Sequence, residues 1–194
     1  MRISFKIGAP LSTVLIINLL LNGYIQEEKY YLQEEAFKVL ALIEKIQSEQ
    51  IIPSSSELRG VEVTESELNS YIAHRIVTEE EEIMKELRLK LFADNRLEGK
   101  IYFDLRGRNF PKLLRSEMNF YFSGILNVKE GWAQLKIEDL FLEQQRIEPA
   151  LLDLAMFIAA KLSNTESGSI NDWYLLPFGI KDIKTYKGRA VFYY

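Results

Sequence analysis

The sequence predicts an α+β fold, a curved antiparallel sheet of meander hairpins packed against helices and preceded by an N-terminal apolar helix. Three observations predict it. Between Glu117 and Lys129, Met118, Phe120, Phe122, Gly124, Leu126 and Val128 alternate with Asn119, Tyr121, Ser123 and Asn127, the period-2 signature of a half-buried strand. Lys129-Glu130-Gly131 then supplies a tight reversal, with glycine free to take positive φ, and Trp132-Ala133-Gln134-Leu135-Lys136-Ile137 returns antiparallel. Finally, Glu148-Pro149 opens a helix on which Leu151, Leu154, Ala155, Ile158 and Leu162 share a stripe, and proline is well suited to a first helical position. Sheet and helix are thus expected to turn these apolar faces toward each other.

The chain begins with Arg2 and Lys6, followed by residues 7–26 without a charged side chain and then by Glu27 and Glu28. As a helix that run reaches about 30 Å, roughly the hydrocarbon thickness of a bilayer. Basic residues before it and acidic residues after it suit a membrane anchor with the remainder outside the cell. The same features suit a secretory signal peptide, and a buried core segment is the bland alternative. Residues 27–50 are amphipathic, with Leu32, Ala36, Val39, Leu40, Ile43 and Ile46 at helical intervals. Such a helix needs an apolar partner, which is its own domain, a second copy of the chain or a membrane face. Ile51-Ile52-Pro53 and Ser54-Ser55-Ser56 read as a connector. The organisation expected is therefore residues 1–26 as signal or anchor, 27–59 as helix and linker, and 60–194 as the folded domain.

Within that domain, Val61-Glu62-Val63 is a short strand and Thr64-Glu65-Ser66-Glu67 a capping box opening a helix lined by Leu68, Ile72 and Ile76. Thr78-Glu79-Glu80-Glu81 repeats the capping signal and is expected to start a further helix. A hairpin follows: Leu87, Leu89 and Leu91 alternate with Arg88 and Lys90, Asp94-Asn95 turns the chain, and Leu97, Gly99, Ile101, Phe103 and Leu105 alternate on the return. Gly107 and Pro111 mark a longer connection with a helical turn near Lys112 to Arg115. The last fifteen residues read as a final hairpin turning at Lys187-Gly188.

A net charge of −4 lacks the basic footprint of a nucleic-acid binder. The absence of cysteine removes disulfides, thiolate metal sites, thiol nucleophiles and lipid-bearing cysteines. The single histidine, His74, has no nucleophile or orienting carboxylate at a recognisable spacing. No nucleophile elbow, phosphate-binding loop, zinc pair or calcium loop occurs, so neither catalytic residues nor a cofactor or metal is expected. An envelope hydrolase built on His74 is the least supported class.

The later half is rich in large apolar groups, including Phe120, Phe122, Trp132, Phe141, Phe157, Trp173, Phe178 and Phe192. An ordinary core accounts for most such residues, each stabilising by about 1.5–3 kcal/mol when buried. A curved sheet closing over a helix also leaves an elongated apolar groove. About ten acyl methylenes in such a groove contribute roughly 8 kcal/mol before ordering costs. The expected lining is Phe120, Phe122, Leu126, Trp132, Leu135 and Ile137 from the strands, Leu151, Leu154, Phe157 and Ile158 from the helix, and Trp173 and Phe178 beyond it.

VEVTESELN at residues 61–69, the strand GKIYFDL, the segment FSGILNVKEGWAQLKIEDLFLE, the proline-led helix and the ending LPFGIKDIKTYKGRAVFYY occur in an order that resembles the LmeA-like extracytoplasmic lipid-binding family, which is similar to the tubular lipid-binding proteins. The resemblance covers residues 60–194. It implies a non-enzymatic protein outside the cytoplasm that holds a phospholipid or another acylated molecule between sheet and helices, with a place in envelope lipid transport or homeostasis. The lipid-anchoring cysteine of some such proteins is missing here, and the helix at 27–50 is an addition. The partners expected are a lipid or apolar small molecule, the membrane through the N-terminal segment, and a second copy through residues 27–50, with no nucleic acid. The competing expectation is a membrane-tethered interaction or assembly module whose core is closed.

Overall fold

The computed structural model describes residues 32–50, 58–79, 83–106, 115–162, 168–169, 171–176 and 179–194. The expected apolar segment at 1–26, the connector at 51–56, the helical turn after Pro111 and the position of Phe178 lie outside those residues. The described chain is α+β, with a curled antiparallel sheet and helices. Its elements are α1 (Gln33–Gln50), β1 (Gly60–Thr64), α2 (Glu65–Thr78), β2 (Met84–Leu91), β3 (Arg96–Asp104), β4 (Glu117–Lys129), β5 (Trp132–Leu142), β6 (Gln145–Arg146), α3 (Pro149–Leu162), β7 (Tyr174–Leu175), β8 (Asp182–Tyr186) and β9 (Arg189–Tyr193).

Strands β2 to β6 form the expected meander, hydrogen-bonded in sequence order, with β7 added beside the start of β5. Its reversals use the left-handed backbone that matches sheet twist. Asp94 and Asn95 have φ of 61° and 57°, and Glu130 and Gly131 have φ of 52° and 79°. Cross-strand rows build the apolar face: Leu87, Ile101 and Phe120 stand in one row, and Leu89, Gly99, Phe122 and Leu140 in the next. Between Ser123 and Gly124 the register against β5 jumps from Asp139 to Ile137, so Glu138 is an extra residue and the strand bends there. A Cβ on Gly124 would stand 2.5 Å from the Lys136 carbonyl oxygen, so a side chain there would collide with the backbone of β5.

The first and last strands of the folded domain form a second sheet, ordered β1-β9-β8, in which Val63 stands opposite Ala190. Local periodicity holds no record of that pairing. The sheets are joined at the β2–β3 turn: the Asn95 amide donates to the Ile183 carbonyl at 3.2 Å and accepts from the Thr185 N–H at 2.8 Å.

Helix α2 opens on the expected capping box, with Thr64 Oγ1 accepting from the Glu67 N–H at 3.2 Å and the Glu67 carboxylate accepting from the Thr64 N–H at 2.9 Å. It buries Leu68, Tyr71, Ile72 and Ile76 against the sheet. It also covers an edge. Asn69 makes two 2.8 Å bonds with the Leu89 backbone, and Glu65 accepts from the Leu91 N–H at 2.7 Å, which satisfies part of the free side of β2. The second capping signal is corrected: Thr78 is the last residue of α2 and Glu79 caps its C-terminus. Glu79 thus follows a helix end, where Arg75 in the last turn pairs with it.

Helix α1 packs on α2, the first of the three partners open to it. Ala36, Val39 and Ile46 are buried, and Leu40 and Ile43 are half-buried against the common core. The Glu35 carboxylate accepts from Ser66 Oγ at 2.6 Å and Ser70 Oγ at 2.9 Å. His74 meets Phe37 edge-on at 5.4 Å, and burial, followed by the Arg75 charge, lowers its pKa.

Gly124→Ala is expected to destabilise the fold by about 1–3 kcal/mol in urea unfolding, and Thr64→Ala by about 1 kcal/mol. Glu67 is held below the ordinary glutamate pKa, chiefly by the Thr64 N–H bond. Its contribution is therefore present above the unfolded-state value and lost as pH falls through the lowered one. The stability gap between wild type and Glu67→Gln is accordingly expected to be constant above about pH 5 and to close on acidification.

Candidate apolar binding surface

Helix α3 has two charged residues in fourteen, Asp153 and Lys161. Its remaining apolar side chains are more than one packed face can absorb. The buried stripe is Leu152, Met156 and Ala160, spaced four apart. The expected stripe is thereby corrected, since Leu151 and Leu154 lie on the outer side with Phe157, and Ile158 is half-buried. The physical reason is ambiguity: in PALLDLAMFIAAKL two adjacent stripes are equally apolar, and only contact with the sheet decides between them.

The strand residues divide in the same way. Phe120, Phe122, Leu126 and Leu135 are buried in the continuous core, and Ile137 is half-buried against it. Trp132 and Trp173 are exposed. The expected lining residues among those described therefore do not share one environment. Five of them, Trp132, Leu151, Leu154, Phe157 and Trp173, lie between 43% and 49% exposed, and Leu175, which the sequence reading missed, is 65% exposed. The alternation around Leu175 is too short to have marked it, because β7 has only two residues.

A network of polar bonds ties this outer surface together. Register sets Leu175 directly across from Trp132 and Tyr174 across from Ala133. Ser169 Oγ donates to Asp153 on α3 at 3.0 Å, the Ser169 N–H donates to Asp172 at 2.9 Å, and the Tyr174 hydroxyl donates to the Ser169 carbonyl. Gln134 Nε2 donates to the Asn171 carbonyl at 2.6 Å, and the Leu176 N–H donates to the Gly131 carbonyl at 2.7 Å. The Trp173–Leu175 stretch is thus fixed to α3, to β5 and to the β4–β5 turn. Burial raises the Tyr174 pKa, and the Asp172 and Asp153 charges push it further, so the hydroxyl remains a proton donor throughout the working pH range. Lys161 lies over the Phe157 ring at 5.6 Å.

No known family model, curated protein or solved structure matches this chain. The geometry therefore carries the argument. The surface consists of indole, phenyl and aliphatic groups with a polar network behind them, and among the described residues no cluster of three His, Asp or Glu side chains could hold a metal. Such a surface can desolvate against another apolar body. Three clefts, of about 610, 480 and 510 Å³, lie on other parts of the sheet, and α3 contributes to none of the three. Among the described residues no helix is long and apolar enough to cross a membrane.

Leu152→Ala is expected to cost about 2–5 kcal/mol, as for a buried leucine, and Leu151→Ala less than about 0.5 kcal/mol. Thermal or urea unfolding of the two variants tests which stripe of α3 faces the core.

Proposed function

We propose that this protein binds a phospholipid or another acylated molecule without catalysing a reaction on it, holding the acyl chains against the outer side of α3 and the adjoining β5–β7 edge. The observations that carry this reading are the exposure of Leu151, Leu154 and Phe157 on the outer side of one helix and that of Trp132, Trp173 and Leu175 along the β5–β7 edge, which the Ser169–Asp153 bond ties to that helix. Covering the exposed half of each such residue contributes about 1 kcal/mol. Trp at the rim suits a boundary between hydrocarbon and water, and Lys161 lays its aliphatic stem beside Phe157 while its ammonium reaches a headgroup or solvent. The uncharged residues 7–26 support a place at the outer face of the cell membrane, by anchor or after export. The order of motifs that resembles the LmeA-like family supports the same ligand class.

The earlier expectation set the acyl chains within a groove between sheet and helix. The burial of Phe120, Phe122, Leu126 and Leu135 in the core favours the outer surface instead. That closed packing also favours a second reading, an assembly module whose partner is an apolar protein surface. The two readings differ in what fills the α3 surface.

Native mass spectrometry and solvent extraction of the full chain are expected to detect bound phospholipid. Leu154→Glu combined with Phe157→Glu is expected to remove it while the melting temperature stays within a few degrees, since both side chains are exposed. A full chain that carries no lipid, takes up no fluorescent acyl probe and self-associates through α3 would instead establish the assembly reading.

A further inference from the structure

The 610 Å³ cleft lies across the polar side of the sheet and shares no residue with the α3 surface. Its size is that of a small-molecule site. Two cross-strand rows build it. Arg88, Lys100, Tyr121 and Phe141 stand in register on β2, β3, β4 and β5, and Lys90, Glu98, Ser123 and Asp139 stand in the neighbouring row. Helix α2 closes one end with Glu65 and Asn69, whose side chains are already bonded to the β2 backbone.

The charges in and around the cleft are balanced. Arg88 and Lys100 would repel directly across the strands, but one carboxylate serves both: Glu86 lies 3.1 Å from Arg88 Nε and 2.6 Å from Lys100 Nζ. Lys90 faces Glu98 across the strands, and Asp139 pairs with Arg146 at 2.6 Å. An anion entering the cleft meets carboxylates as well as cations, so net charge does not select it. What distinguishes the cleft is a pair of aromatic side chains in register, Tyr121 and Phe141, the first 41% exposed. Donors and acceptors interleave around them: Lys100, Glu98, the Ser123 hydroxyl and Asp139.

We infer that the cleft binds a neutral saccharide. A pyranose ring offers an apolar C–H face to an aromatic platform and a rim of hydroxyls that donate and accept at once. A single hydroxyl can accept from Lys100 while donating to Glu98, and another can donate to Asp139, to which the Ser123 hydroxyl already donates at 3.5 Å. A phosphate brings about one to two negative charges and finds the carboxylates against it. This inference stands on its own residues and is independent of lipid binding at α3.

The test titrates maltotriose, cellotriose, mannotriose and, separately, inorganic phosphate into the full-length protein, read by saturation-transfer NMR. At least one trisaccharide is expected to bind with saturation concentrated on the C–H protons of one ring face. Tyr121→Val keeps a strand-forming residue and removes the platform, and is expected to weaken that binding about tenfold; Tyr121→Phe is expected to keep it within about threefold, and Glu98→Gln to weaken it. Binding of phosphate with no trisaccharide bound, silence from all three trisaccharides, or saccharide binding that survives Tyr121→Val unchanged would each overturn the inference. Should Tyr121→Val fail to fold, Glu98→Gln, at an exposed position, carries the test: unchanged affinity there also overturns it.

Discussion

The apolar side of a curled sheet has to be covered, and in this protein α2 covers it at the β2 edge. The constraint is enforced by side-chain amide and carboxylate bonds rather than by packing alone. Asn69 and Glu65 bond the edge of β2, and Leu68, Ile72 and Ile76 of the same helix join the core that holds Leu87 and Leu89. The helix after β6 meets the sheet at β5. It buries Leu152 and Met156 there and is left with apolar groups on its outer side.

That division explains why two kinds of surface coexist on one small domain. On the polar side of the sheet, charged residues alternate outward and neutralise one another in pairs, leaving the Tyr121–Phe141 platform among matched ions. At α3 no charges are available to solvate the helix beyond Asp153 and Lys161, and Asp153 is engaged with Ser169. Such a helix is stable in water only at the cost of exposed hydrocarbon, which the proposed acyl ligand would cover.

Much of the fold was legible in the sequence because its signals are local. Alternation in β2 to β5, positive-φ turns at Asp94-Asn95 and Glu130-Gly131, and the Thr64 capping box each depend on neighbours within a few residues. The pairing of β1 with β9 was not legible, since it joins residues more than a hundred positions apart. Nor was the extra residue at Glu138, which follows from how two strands fit rather than from either one. The candidate site was half legible. Its residue types were evident, but a helix apolar on two stripes does not declare which one faces inward, and the cleft at Tyr121 belongs to the side of the sheet that patterning marks only as solvated.

Both tryptophans of the chain, Trp132 and Trp173, are exposed along the β5–β7 edge that Ser169 bonds to Asp153 of α3, so their fluorescence reports on that edge. Vesicles of phosphatidylcholine with brominated acyl chains, compared with unbrominated ones, measure whether the indoles contact hydrocarbon. Binding of acyl chains at α3 predicts strong quenching by the brominated lipid together with a blue shift in both lipids. Emission that is the same with and without bromine, and unshifted from that of the protein in buffer, would contradict it.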